Sequence, residues 1–240
     1  MKALILNSGV ARRLKPLTDN LPKCLLEING KSILQRQIEL LLSVGVKKYI
    51  ITTGPLQEKI INHVKEKFQD PELDVIYINS PKFETTNYIY SMWLARNELN
   101  DDDILLLHGD LVFEKSVVQK IVTQKVSSAI VDRASKLPEK DFKGEIQNGK
   151  IIKIGIDVFG KEASFLLPLY YWTREDFHLW MDEIGTFVKK GITSCYAENA
   201  FNEISETIDL HPLDIDNEFI MEIDNFDDLK IARQIQKKLN

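Results

Sequence analysis

Short apolar blocks recur along the first half of the chain, each closed off by polar or turn residues: Ala3–Leu6, Tyr49–Thr53, Val75–Ile78 and Ile104–Leu107. Blocks this short, bounded in this way, predict buried strands. Between them the apolar positions spread to a helical period. Leu34, Ile38, Leu41 and Leu42 fall on one face of a segment that Ser32 can N-cap and Gly45 can stop. Pro55–Phe68 predicts a second helix, with Pro55 tolerated in its first turn, and Tyr88–Leu99 a third. Alternating strands and helices predict an α/β fold: a doubly wound, mostly parallel mixed sheet with helices on both faces. The ligand site of such a sheet lies at the carboxyl ends of its strands.

After about residue 125 the pattern changes. Ser127–Val131 predicts a strand, and Gly144–Ile154 a hairpin turning at Asn148-Gly149, a dipeptide that supplies the positive φ angles of a tight turn. Ser164–Trp172 is strand-like despite Pro168. Thr173–Lys190 predicts a helix with Thr173 and Asp176 spaced as a capping pair and Gly191 as its stop. Phe219–Ile223 is expected to be the last strand and Asn225–Leu239 an amphipathic closing helix. No repeat, low-complexity tract or linker interrupts the chain, so a single domain over 1–240 is expected.

Composition narrows the function. With 240 residues and 44% hydrophobic content, the chain can bury a sizeable core. A net charge of −5 argues against a general nucleic-acid binder, so any cationic function must be local. Cys24 and Cys195 lie far apart and match no metal-ligand spacing; with no signal-peptide pattern, a reduced cytoplasm is the expected compartment. No apolar stretch approaches the roughly 20 residues of a membrane span.

In this acidic chain, Arg12, Arg13, Lys15 and Lys23 crowd into the segment that follows the first strand. A loop there exposes backbone N–H groups that attract anions, and the added cations suggest a polyanion. A dinucleotide-binding loop needs G-x-G-x-x-G running into a helix, whereas only Gly9 is present and Pro16 and Pro22 interrupt. A P-loop fails because no Gly-Lys-Ser/Thr follows. A loop of merely solvated cations is the plain alternative. Two aspartates weigh against it. Asp110, in "LLLHGDLVF", closes a buried strand, where an unpaired carboxylate is costly. Asp224, in "FIMEIDNFDDL", ends another, although Asn225 and Asp228 beside it also suit a helix start. Magnesium is commonly held by one or two carboxylates plus phosphate oxygens, so convergence of the two would make a nucleotide–metal site.

These residues resemble the nucleotidyltransferase (pyrophosphorylase) family of GT-A-like fold. Its signature runs approximately as an apolar strand, Ala-Ala-Gly, x-Gly-x-Arg, Leu, x-Pro-Leu-Thr, a short spacer and Pro-Lys. The chain matches at Gly9, Arg13, Pro16, Leu17, Thr18, Pro22 and Lys23, and departs at Asn7-Ser8 and Ala11. The likeness continues through "GPLQEKI", "HGDLVF" and "EIDNFDDL". "TNYIYSMWLAR" is similar to the Asn-Asn-Ile-Tyr-Ser-Leu motif of bacterial phosphocholine cytidylyltransferases and their relatives acting on phosphonates.

The resemblance implies an enzyme that transfers CMP from CTP to a small phosphorylated acceptor, phosphocholine-, phosphonate- or phosphoglutamine-like, for cell-surface glycan or capsule modification. It implies magnesium as cofactor, no nucleic-acid or membrane partner, and a monomer or homodimer. Residues 1–125 would bind the nucleotide and 126–240 the acceptor. Leu6, Asn7, Ser8, Gly9, Ala11, Arg13, Lys23, Gly54, Asn87 and Ser91 would line the nucleotide site. Arg13 and Lys23 would be catalytic, and Asp110 and Asp224 the metal ligands. For the acceptor, Arg133 could bind a carboxylate or be a solvated surface group. Tyr171 and Tyr196 could contribute aromatic faces, although strand alternation turns Tyr171 away from Tyr170 and Trp172, which favours core packing. The histidines show no ligand spacing and receive no catalytic task. A sugar-1-phosphate nucleotidyltransferase and a non-catalytic nucleotide-sensing subunit are the alternatives.

Overall fold

The computed structural model describes residues 1–235. Its elements run β1 Lys2–Asn7, β2 Glu27–Ile28, β3 Lys31–Ser32, α1 Ile33–Leu42, β4 Lys48–Thr53, α2 Gln57–Lys67, β5 Asp74–Asn79, α3 Tyr88–Ala95 and β6 Ile104–His108. They continue with β7 Leu111–Phe113, α4 Lys115–Val122, β8 Ser128–Asp132, β9 Lys143–Gln147, β10 Lys150–Gly155, β11 Ala163–Trp172 and α5 Arg174–Lys189. The last are α6 Glu198–Ile204, β12 His211–Asp214, β13 Ile220–Glu222 and α7 Phe226–Ile235. Positions 236–239 of the expected closing helix lie outside the described residues.

The sheet is built around parallel strands in the order β6, β1, β4, β5, so Asn7, Thr53, Asn79 and His108 finish on one edge. β11 joins β6 antiparallel and carries β8 on its other side, while its beginning pairs with β9. The β11–β8 register slips between Leu167 and Tyr170, the stretch that holds Pro168. Proline cannot donate to a ladder and is tolerated at such an irregularity. The hairpin β9–β10 turns at Asn148 and Gly149 with φ of 51° and 78°.

Strand alternation divides the core into two layers. Leu4, Leu6, Leu106, Tyr170 and Trp172 face α3, α5 and α6, where Met92, Trp180 and Phe201 pack. Ala3, Ile5, Leu107, Leu169 and Tyr171 face α1, α2 and α4 through Leu34, Ile60 and Val117. Helix ends follow local chemistry: Ser32 Oγ accepts from Gln35 N at 3.0 Å, and Thr173 caps α5 through Asp176. The elements absent from the sequence reading, chiefly β2, β3, β7, α4, α6 and β12, are short. β2–β3 is a turn at Asn29 and Gly30, both at positive φ.

A small pairing matters most for the site. β13 runs antiparallel to β7, setting Glu222 opposite Leu111, and Ile223 N donates to Asp110 O at 3.0 Å. Two carboxylate-bearing segments more than a hundred residues apart thereby end side by side at the edge where β1 and β6 finish.

Candidate active site

The loop after β1 closes into one turn of 3-10 helix at Arg12–Leu14, and Thr18 Oγ1 donates to Ala11 O at 2.9 Å to hold it. Ala11 takes φ 45° and ψ 52°, a left-handed conformation that glycine adopts freely and alanine does not. This is the position where the resembled signature carries glycine, so the turn is kept with a side chain added. A second 3-10 turn, Lys23–Leu25, delivers the other cation.

Lys23 sits between the two aspartates. Its Nζ donates to Asp110 Oδ2 at 2.5 Å and to Asp224 Oδ1 at 2.7 Å. Arg13, largely exposed, reaches Asp224 Oδ2 at 2.9 Å. Asp224 is free for this because α7 is capped by its neighbours: Asn225 Oδ1 accepts from Asp227 N and Asp228 N, and Asp228 Oδ2 accepts from Asp224 N and Asn225 N. Burial by itself would lower the Lys23 pKa, but the two carboxylates raise it above its ordinary value. Burial would likewise raise Asp110, but Lys23 and His108 hold it below the usual carboxylate range.

Behind this triad lies a group the sequence reading missed. Ligand atoms of His108, Asp110 and Glu222 lie within 4.8 Å of one another. His108 Nδ1 is 3.4 Å from Glu222 Oε1. Burial, with Asp110 and Asp224 adding repulsion, pushes Glu222 up to about 7 against the pull of His108. His108 Nε2 and Asp110 Oδ1 are buried without hydrogen-bond partners among the described residues. The signal was local: His108 is two residues from Asp110 and Glu222 two from Asp224, so the same strand ends carry both pairs.

A cleft of about 400 Å3 opens over these groups. Of the expected nucleotide-site residues, Leu6, Asn7, Ser8, Gly9, Ala11 and Asn87 line it, as do Arg13, Lys23, Asp110 and Asp224. Its far side is aromatic. Tyr88 lies 4.9 Å from His108 and 5.8 Å from Tyr196, and Phe142 lies 4.9 Å from Tyr196 and 6.5 Å from His108, measured between ring centroids. Tyr88 is braced from behind, since its hydroxyl and that of Tyr170 both donate to the buried carboxylate of Glu198. Asp141 borders the same side, its pKa raised by burial and by Asp224 and Asp228.

Four expected site residues lie elsewhere. Gly54 borders a smaller cavity of about 220 Å3 beside the loop, and a Cβ there would sit 2.6 Å from Ser8 O, so its glycine permits close backbone approach. Ser91 is fully buried one layer back, accepting from Ser8 Oγ at 3.2 Å and donating to Tyr88 O at 3.0 Å. Tyr171 is buried against α4 and donates to Asp103 Oδ2 at 2.8 Å, at the opposite end of β6 from the cleft. Arg133 is exposed and pairs with Asp214, its Nε 3.5 Å from Oδ2. Both depart from the acceptor reading: Tyr171 because strand alternation turns it into the core, Arg133 because β8 ends beside β12 and not beside the cleft.

A loop of cations folded onto strand-end aspartates, at the carboxyl edge of an α/β sheet, is where such a fold binds an anionic ligand. The sequence profile of the nucleotidyl transferase family matches residues 2–142, and the chain belongs to that family. It is 29% identical over 174 residues to the CTP:phosphoglutamine cytidylyltransferase of Campylobacter jejuni, covering 68% of this chain and 67% of that one. It is 25% identical to the choline-phosphate cytidylyltransferase of Streptococcus pneumoniae over the full length of both. Among solved structures, the CTP:phosphocholine cytidylyltransferase of S. pneumoniae superposes with a TM-score of 0.78 at 21% identity, covering 98% of each chain. The inositol-1-phosphate CTP transferase of T. maritima gives 0.78 at 20% identity, covering 100% of this chain and 97% of that one. Among the described residues, no helix is long and apolar enough to cross a membrane.

Proposed function

We propose that the protein is a cytidylyltransferase that passes CMP from CTP to a small phosphorylated acceptor and releases pyrophosphate. The observation that carries this reading is Lys23, held between Asp110 and Asp224 at the mouth of the cationic loop. An acceptor phosphate attacks the α-phosphorus in line, and the bond to the leaving pyrophosphate breaks. Such transfer asks the protein chiefly for position and charge neutralisation. Arg13 holds the departing β/γ-phosphates. Lys23 leaves its carboxylates for the α-phosphate and the incoming anion as charge builds between them.

The donor set fits a hard divalent cation, because Asp110 Oδ1 is a buried carboxylate oxygen with no partner and Asp224 stands beside it. Asp110 and Asp224 would hold magnesium, which when bound neutralises charge on the α-phosphate. On the acceptor side, the rings of Tyr88, Phe142 and Tyr196 with Asp141 and Glu222 favour an acceptor bearing an ammonium group, since aromatic faces and carboxylates both attract cations. The relatives named for choline phosphate and phosphoglutamine support the same class; the setting we propose for it is a cytoplasmic step toward cell-surface or capsule modification. In this reading the chain is a single domain with the nucleotide held by 1–125 and the acceptor mainly by 126–240, to which Tyr88 adds a ring from the first half.

The test is pyrophosphate release with each of the four NTPs, offered with phosphocholine, 2-aminoethylphosphonate, phosphoglutamine, inositol 1-phosphate and glucose 1-phosphate. Turnover with CTP and an ammonium-bearing acceptor is expected. Turnover with UTP or dTTP and glucose 1-phosphate alone would make it a sugar enzyme. Nucleotide binding without turnover for any pair would make it a sensor.

A further inference from the structure

Asn7 is the last residue of β1, and its backbone N–H is occupied by Thr52 Oγ1 at 3.1 Å. Its carboxamide is not. Nδ2 is buried and has no hydrogen-bond partner among the described residues, and Asn7 lines the cleft. A buried amide donor without a partner is costly, so a local reason for keeping it is needed. The resembled signature has alanine here, so the donor is a feature of this chain and not of the signature.

The neighbouring backbone is shaped around it. Gly109 N donates to Leu6 O at 3.0 Å, which draws the β6 end against the β1 end. A Cβ on Gly109 would lie 1.7 Å from Asn7 Oδ1, so the carboxamide fills the space a side chain at 109 would need. Oδ1 is thereby wedged against Gly109. One residue further on, Asp110 Oδ1 is also buried and unpaired. A hydrogen-bond donor and a carboxylate acceptor thus stand unsatisfied on adjoining strand ends. A phosphoryl oxygen accompanied by a cation answers both needs at once.

We propose that Asn7 is a substrate-contacting residue whose Nδ2 donates to a non-bridging oxygen of the phosphoryl group undergoing transfer, with Gly109 kept small to seat it. This rests on the reading of the cleft as a nucleotidyl-transfer site. The donor gains strength as charge accumulates on that oxygen, so its effect falls mainly on turnover.

The test uses Asn7→Ala, Asn7→Asp, Gly109→Ala and the Asn7→Ala/Gly109→Ala double variant, with steady-state kinetics, CTP-binding calorimetry with and without EDTA, and thermal melts. Asn7→Ala is expected to lower kcat at least tenfold while the CTP Kd stays within about threefold. Asn7→Asp is expected to weaken CTP binding more than tenfold, in EDTA as well, because it sets a carboxylate against a phosphate. Gly109→Ala is expected to match the kcat loss of Asn7→Ala, and the double variant to be no slower than Asn7→Ala alone and to melt above Gly109→Ala. If the wild type releases pyrophosphate and Asn7→Ala and Asn7→Asp keep its kcat and CTP Kd, with only the melts lowered, Asn7 is a packing residue or a water site and the inference fails while the transfer reading stands. If the wild type turns over no pair, both fail.

Discussion

Lys23 Nζ lies 2.5 Å from Asp110 Oδ2, across 87 positions of sequence, and the same ammonium holds Asp224 at 2.7 Å. On the proposed reading, the cation assigned to phosphate thus neutralises, before substrate arrives, the carboxylates assigned to metal. Lys23 and Asp110 each hold the other charged in a buried place, and on that reading each would be released when its own ligand enters.

Lys23→Ala is expected to lower kcat by at least about a hundredfold, roughly 2.7 kcal/mol of barrier, while CTP binding stays within several-fold. It should also tighten binding of Mn2+ to the nucleotide-free protein, since the competing ammonium is gone. Calorimetry reads both. Loss of CTP binding, or unchanged Mn2+ affinity, would contradict the role.

Asp110→Asn should raise the magnesium concentration needed for half-maximal activity, because a charged ligand has been removed. The folded-state pKa of Asp110 lies below its unfolded value, so its ionic contribution to stability is present above about pH 4 and is lost as pH falls through the folded pKa. The melting deficit of Asp110→Asn should therefore be largest near neutrality and shrink on acidification. A deficit that grew toward low pH would contradict the assignment.

At Ala11 the left-handed backbone costs an alanine about 1–2 kcal/mol. Ala11→Gly relieves this but frees the unfolded chain, so stability should change by less than about 1 kcal/mol and activity should persist. Ala11→Val should cost more than about 1 kcal/mol and raise the KM for CTP, since a β-branched residue resists positive φ. Thermal melts and nucleotide kinetics decide between the outcomes.

On the acceptor side, Tyr196→Ala should raise the acceptor KM about fivefold with the KM for CTP unchanged, matching loss of one aromatic face worth about 1 kcal/mol. Arg133→Ala should alter neither. Tyr171→Phe should cost about 1 kcal/mol of stability through the bond to Asp103 and leave kinetics intact. Equal effects of Tyr196 and Arg133 on the acceptor would return Arg133 to the site.

What the sequence determined by itself is local. Three of the four apolar blocks, Ala3–Leu6, Tyr49–Thr53 and Ile104–Leu107, are strands that bury both faces between helix layers, the fourth, Val75–Ile78, is the partly buried edge strand, and Ser32 and Thr173 start helices because their hydroxyls meet an unpaired N–H. Tyr171 parts from Tyr170 because side chains alternate along any strand. The loop carrying Arg13 and Lys23 was legible because its spacing is contiguous. Only the tertiary structure decided which distant groups meet. The short β7–β13 pairing brings Glu222 and Asp224 to His108 and Asp110, and no periodicity in either segment encodes it. The same holds for the rings of Tyr88, Phe142 and Tyr196, which come from three separate segments. Ligand spacing within one helix or turn is written in the chain, whereas a site assembled from strand ends is set by sheet order and register, which depend on the packing of the whole core.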